Sequence, residues 1–460
     1  MDKSLISKPV SELAPLIQNK TISPVELTKA VLEHAEAGQK DINAFISFTR
    51  GKAEAAARHA EQEIMNGNYR GMYHGITIAL KDNIYIKDEM TTVGSKIHKD
   101  FKPEYDATVV DKLTQAGAIF TGKLNMHEYA YGITNNNPHY GASRNPWNTD
   151  KITGGSSGGS GAAVAADLTM ASLGTDTSGS IRIPAALCGI VGLKPTFGRV
   201  STYGTFPLTP SQDHLGPMTK NIKDTAGLFQ LIAGQDNKDP MTLHAPIDGY
   251  LDHLTGDVNG LVIGVDENYF FENVDDDIEK AVKDDIRFLE ENGAKVELVE
   301  LSSLYDTEDL DHITVFSEAS VIHQEEFLKN PEGFGIEMKT MFENIKVPDA
   351  IEYIKAQQSK RKIKSEMLQV FDKVDVLIAP TLPFTAPDIG SDFVDINGRK
   401  EELIKSALHF MRPASLTGLP ALSIPCGFKE GLPFGLQLIG PPLSEAELLN
   451  IGYAIERKNS

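Results

Sequence analysis

The chain has 460 residues, 41% of them hydrophobic and 23% charged, with a formal net charge of −20. This balance excludes a disordered chain, and 2 Cys in 460 residues exclude a disulfide scaffold. The acidic excess repels phosphate backbones, so no nucleic-acid partner is expected.

The first residues, MDKSLISKPVSELAPLIQNK, lack the apolar run of about 7–15 residues that a signal peptide needs. No stretch approaches the roughly 18 apolar residues of a membrane span. A cytoplasmic protein with no membrane contact is therefore expected. Ser23-Pro24-Val25-Glu26 reads as a helix start, with a cap hydroxyl, a proline at the first position and a glutamate at the capping-box position. Lys52 to Met65 is Ala- and Glu-rich and reads as helix. Ile76 to Leu80 is short, β-branched and alternating, which predicts a strand with Lys81 at its carboxyl end. Chemistry gathers at the carboxyl ends of strands in α/β sheets. A helix over Thr108 to Ala116 and a short strand over Ala118 to Thr121 follow.

From Thr153 to Ser180 the chain carries Gly154, Gly155, Gly158, Gly159, Gly161, Gly174 and Gly179, with Ser and Thr filling much of the rest. A loose linker shares that composition, but the apolar runs 162–166 and 170–173 need burial. Glycine-rich backbone between core elements predicts close approach or unusual torsions. Beyond about residue 240 polarity rises. An acid-capped helix begins near Val274 and runs to about Asn292, a strand spans 294–298, and helices fill roughly 306–372. Strand character returns at 376–380, 421–424 and 435–439. The alternation implies a mixed α/β fold.

Three motifs fail on inspection. Gly117 to Lys123 has the spacing of a phosphate loop, but Leu124 replaces the hydroxyl that would hold Mg²⁺. His127-Glu128 begins a zinc helix whose second histidine position holds Tyr131, so no metal site is expected. Ser157 lies in a G-x-S-x-G match, but 145–155 reads as a loop rather than the strand that a nucleophile elbow needs. Cys188 and Cys426 sit in apolar surroundings and read as small core residues.

Lys81, Ser156 and Ser180 combine differently. A serine hydroxyl is a poor nucleophile unless a base takes its proton. A lysine is such a base when burial keeps it neutral. Glycine-rich turns also leave N–H groups free to stabilise an oxyanion. Surface lysine and ordinary turn serines remain the alternative on composition alone.

Residues 153–185, TGGSSGGSGAAVAADLTMASLGTDTSGSIRIPA, resemble the signature of the amidase signature family. Lys81-Asp82-Asn83, Gly122 to Glu128, Gly192-Leu193-Lys194-Pro195-Thr196 and Leu416 to Phe428 resemble further blocks of that family, and the likeness runs from about residue 8 to 457. The resemblance implies an α/β fold in a single large domain over 1–460, with a central twisted mixed β-sheet covered by helices on both faces. Its core would span about 65–235 and 374–457, with a peripheral helical layer over about 240–372. It implies Ser180 as nucleophile, Ser156 as bridging serine after a cis Gly155–Ser156 bond, and Lys81 as base. The amides of Thr177, Ser178, Gly179 and Ser180 would form the oxyanion hole. Asp176 and Arg182 would hold that loop, and Ser157 would brace the relay. Many members have Gly-Gly-Ser at the nucleophile, whereas this chain has Ser178-Gly179-Ser180.

The implied activity is hydrolysis of a carboxylic acid amide to acid plus ammonia or amine, with no cofactor, no metal, a small-molecule substrate and a monomer or homodimer. A hydrolase of urea-like or carbamate substrates is an alternative. Another is the glutaminase subunit of the glutamyl-tRNA(Gln) amidotransferase, which holds glutamine with an arginine and an acidic residue. Arg361 could match the arginine, but Leu408 falls at the acidic position, which favours a stand-alone enzyme. The substrate pocket is expected at Ala130, Tyr131 and Gly132, with Thr134, Phe206, 313–316 and the 340–360 helices.

Overall fold

The computed structural model describes residues 3–247, 249–344 and 346–458. Eleven strands form one sheet. In chain order they are β1 (Phe45–Phe48), β2 (Thr77–Lys81), β3 (Ile119–Leu124), β4 (Ala171–Asp176), β5 (Val191–Lys194) and β6 (His214–Thr219). Then come β7 (Val262–Val265), β8 (Lys295–Leu298), β9 (Val376–Pro380), β10 (Ala421–Lys429) and β11 (Leu432–Ile439). Across the sheet the order is β1-β3-β2-β4-β6-β5-β10-β11-β9-β7-β8. The sheet is mixed, as expected, and helices flank it. The pairs β2–β3, β2–β4, β7–β8 and β7–β9 are parallel. The pairs from β4 through β6, β5, β10 and β11 to β9 are antiparallel.

The expected domain layout needs one change. The segment 240–372 holds two strands at one edge of the sheet: β8, as expected at 294–298, and β7, which the sequence reading did not expect. Its helices are Asp276–Glu291, Thr307–Lys329, Ile336–Asn344 and Ala350–Phe371. The sequence reading also missed β1, β5 and β6, and a strand at Asn148–Ile152 that pairs with Arg144–Asn145 outside the main sheet.

Local chemistry explains the helix ends. Ser23 Oγ accepts from Val25 N and Glu26 N at 3.1 Å, capping Pro24–Ile42, while Pro24 fills the first position. The Ser23 hydroxyl itself donates to Glu61, and the expected return bond from Glu26 is not formed. Asp349 makes a full capping box with Glu352 at the start of Ala350–Phe371. Asp275 caps Asp276–Glu291 by accepting from Asp277 N.

β2 is buried along its whole length between β3 and β4, Thr77 and Lys81 included, so both faces of the expected alternating strand are covered. The parallel pairing of β2 and β4 sets Leu80 opposite Leu173, so Lys81 emerges beside the last residues of β4. The chain leading to β4 passes through the short helix Gly158–Ala165, nearly all of it buried. Gly159 explains the glycine content: a Cβ there would lie 2.3 Å from Asn125 O and 2.6 Å from Ala44 O. No helix among the described residues is long and apolar enough to cross a membrane.

Candidate active site

Lys81, Ser156, Ser157, Asp176, Ser180 and Arg182 converge at the carboxyl ends of β2 and β4, and all are buried. Lys81 Nζ donates to Ser156 Oγ at 2.7 Å and to Thr175 Oγ1 at 2.7 Å, and lies 3.5 Å from Thr175 O. Thr175 was not singled out in the sequence, although its place near the end of β4 beside Lys81 follows once the two strands are paired. Burial lowers the lysine pKa to about 7, against the opposing pull of Asp213 and Asp176. A lysine at that value exchanges its proton near neutral pH.

The Gly155–Ser156 peptide is cis, as the resemblance implied. The chain around it is held tightly. His127 N donates to Ser156 O at 3.1 Å, and Ser157 N donates to Ser180 O at 3.3 Å. Ser157 Oγ donates to Thr175 O at 3.1 Å and accepts from Thr175 N at 3.3 Å. Ser157 therefore ties the turn of Ser156 to the strand that contacts Lys81.

The 176–182 turn is organised by one carboxylate. Asp176 Oδ1 accepts from Gly179 N at 2.7 Å, and Asp176 Oδ2 accepts from Ile181 N at 3.2 Å. Arg182 donates through Nε to Oδ2 at 3.0 Å and through a terminal nitrogen to Oδ1 at 3.1 Å. Arg182 also donates to Met411 O, Ser415 Oγ and Gln437 Oε1, so the buried guanidinium is fully engaged. Burial pushes the Asp176 carboxyl up, but Arg182, with Lys194 and His214, holds it well below the usual range. Gly179 turns with φ +114°, and a Cβ there would sit 2.5 Å from Met411 Cγ.

This geometry refines the expected oxyanion hole. The Gly179 N–H is committed to Asp176. The N–H groups of Thr177, Ser178 and Ser180 have no hydrogen-bond partner among the described residues. Thr177 Oγ1 donates to Asp213 Oδ1 at 2.6 Å, and Asp213 Oδ2 accepts from Leu208 N and Thr209 N, which anchors the start of the turn.

Beside Ser180 lies a cavity of about 120 Å³. Ala130, Tyr131 and Gly132 line it, together with Ile133, Thr177 and Ser178. The far wall comes from Asp311, His312, Val315 and Phe316, and from Leu208, Glu337, Ile404 and Leu408. Of the other expected wall, Phe206 packs instead against Tyr129 and His323, and the 340–360 helices do not reach the cavity. Arg361 is exposed, and its Nε donates to Gln357 O in its own helix. A larger cavity of about 520 Å³ borders a different face of the helix Leu403–His409, through Lys405 and His409, and contains none of the Lys81 cluster. Among the described residues there is no cluster of His, Cys, Asp and Glu able to hold a metal ion. Cys188 is buried and Cys426 half-buried, as free thiols.

Comparison with known proteins agrees with this picture. The amidase family model matches residues 26–449. The chain is 42% identical over 463 residues to a glutamyl-tRNA(Gln) amidotransferase subunit of Chloroflexus aurantiacus (strain ATCC 29366 / DSM 635 / J-10-fl), covering 95% of this chain and 93% of that protein. Its structure is similar, with a TM-score of 0.94, 33% identity and 98% coverage of both chains, to one from a vestigial protein complex bearing on the origins of an s-triazine catabolic enzyme. It is also similar to a crystal structure of an amidase, with a TM-score of 0.89, 32% identity and coverage of 98% of this chain and 100% of the other.

Proposed function

Because the chain belongs to the amidase family, we propose that it hydrolyses a small carboxylic acid amide through an acyl-enzyme on Ser180, acting without a partner subunit. The observation that carries this reading is the fully buried Lys81, 2.7 Å from Ser156 Oγ, with a pKa near 7. Ser180 attacks the amide carbonyl while its proton passes through Ser156 to neutral Lys81. The tetrahedral oxyanion forms beside the unpartnered N–H groups of Thr177, Ser178 and Ser180. Lys81, now charged, returns the proton through Ser156 to the leaving nitrogen, and ammonia or an amine departs. Water, deprotonated along the same route, then releases the acid.

The named relatives support a second reading, in which the chain is a glutaminase subunit that supplies ammonia to a partner. The cavity favours the first. Arg361 is outside it, and Leu408 stands at the position where the resemblance puts the glutaminase acid, so the carboxylates that line the cavity, Asp311 and Glu337, come from other positions. Ureas and carbamates would serve the same relay as acyl donors.

The test is ammonia release from a panel of small primary amides, glutamine included, by the purified chain alone. Turnover of neutral amides is expected. Ser180→Ala should abolish it, and Ser156→Ala and Lys81→Ala should each lower kcat/KM by about 10³-fold or more. Glutamine turnover only with added partner subunits would select the second reading.

A further inference from the structure

Ser178 stands where many family members carry glycine, and its side chain has a definite partner. Ser178 Oγ donates to Asp311 Oδ1 at 2.8 Å, and Gln212 Nε2 donates to the same oxygen at 3.1 Å. Gln212 cannot turn its amide over, because its Oε1 accepts from Lys360 Nζ at 2.7 Å. Asp311 Oδ1 is thus fixed from two sides. Asp311 itself is buried, 3% exposed, and lines the cavity beside Ser180.

The other oxygen is different. Oδ2 receives no hydrogen bond among the described residues. Arg412 Nε lies 3.8 Å from it, near enough to balance the charge and too far to hydrogen-bond. Arg412 is also buried, and its Nε has no hydrogen-bond partner. Buried polar atoms are almost always paired. Here the Asp311 acceptor and the Arg412 donor stand unmatched side by side, and Asp311 borders a cavity that Glu337 and His312 also line.

We infer that Asp311 is the residue by which the cavity selects its acyl group, with Oδ2 accepting a hydrogen bond from an N–H or O–H on the acyl part of the substrate. Size narrows the class further. An apolar cavity of about 150 Å³ takes benzene, so one of about 120 Å³ sets a single ring as the upper limit for the acyl group. The substrate class is a small amide whose acyl group carries one donor away from the scissile carbonyl. This inference rests on the reading of the cavity as the acyl site of an amide hydrolase.

A site built to bond a donor rejects the analogue that lacks it far more strongly than an apolar pocket rejects a missing methylene. The experiment compares kcat/KM for matched primary amides: hydroxy- against methoxybenzamide, substituted at position 3 or 4, and 4-hydroxy- against 4-methoxybutyramide. The native chain should prefer the hydroxyl member of at least one pair about tenfold or more. In Asp311→Asn, the side-chain oxygen keeps Ser178 and Gln212 as donors and the NH₂ takes the place of Oδ2. The preference should then be lost, because the hydroxyl and the methoxy oxygen can both accept from the NH₂. Ser178→Ala, which keeps its N–H but frees Asp311 to rotate, should shrink the preference. The ratio is taken within each variant, so any loss of folded enzyme cancels. Equal rates for both members in the native chain, or an unchanged ratio in Asp311→Asn, would overturn the inference and leave the hydrolase reading intact. If the native chain turns over no amide and a fluorophosphonate does not modify Ser180, both fall together.

Discussion

Lys81 shows how one side chain acquires its chemistry from its neighbours. Its Nζ contacts two hydroxyls and a carbonyl, and among the described residues no carboxylate lies within bonding range. Burial therefore outweighs the distant charges of Asp213 and Asp176, and the pKa falls to about 7. The sign of the pH dependence follows. Below about 7 Lys81 is protonated and cannot accept the serine proton; above it the neutral amine can. We expect kcat/KM to rise through pH 7 and then level, as measured by initial rates on a neutral amide. Asp213 favours the charged lysine, so Asp213→Asn, which keeps an acceptor for Thr177, should move the rising limb to lower pH. A limb that stays in place would show that another group controls it. The sequence singled out Lys81 at the end of a strand and Ser156 and Ser180 in glycine-rich turns, because both signals are local. It did not identify Thr175, Asp213 or Asp311, whose roles depend on strands and helices far apart in the chain.

At the scale of elements, the two glycine-rich turns hold together through buried contacts that tolerate little change. The helix Gly158–Ala165 approaches backbone carbonyls so closely that Gly159→Ala forces a shift of main chain, not merely of a side chain. A loss of about 1–3 kcal/mol in denaturant unfolding is expected. Asp176→Ala should cost more, about 3–5 kcal/mol, because it leaves the buried Arg182 guanidinium without its anion and frees Gly179 N. An unfolding midpoint like that of the native chain would mean that the turn does not depend on this pair. Strands β2, β9 and β11 were legible because apolar runs bounded by polar turns define them. β7 escaped notice inside a polar stretch, since a strand buried by its neighbours in a sheet needs only four residues, Val262–Val265. The strand Asn148–Ile152 escaped because its side chains are mostly exposed and polar.

Over the whole molecule, the sheet order explains why the site was only partly readable. The strand order puts β2 beside β4, which joins Lys81 to Thr175 although 94 residues separate them. The cavity wall is drawn from even more distant places, including Tyr131, Leu208, Asp311 and Leu408. Spacing along the chain carries no record of that assembly, and Arg361, the possible match to the glutaminase arginine, is turned outward by its helix. The net charge of −20 is carried mainly by exposed acids, and of the acids Asp213 and Asp176 act on Lys81. Acylation of Ser180 is the step on which the whole relay depends, and the site of covalent modification reads it out without intermediaries. The chain is treated with a fluorophosphonate across a pH series, digested, and analysed by mass spectrometry. One adduct is expected, on Ser180, whose rate of formation falls below pH 7 and which is absent in Ser180→Ala. An adduct on another residue, or labelling that survives Ser180→Ala, would refute Ser180 as the nucleophile.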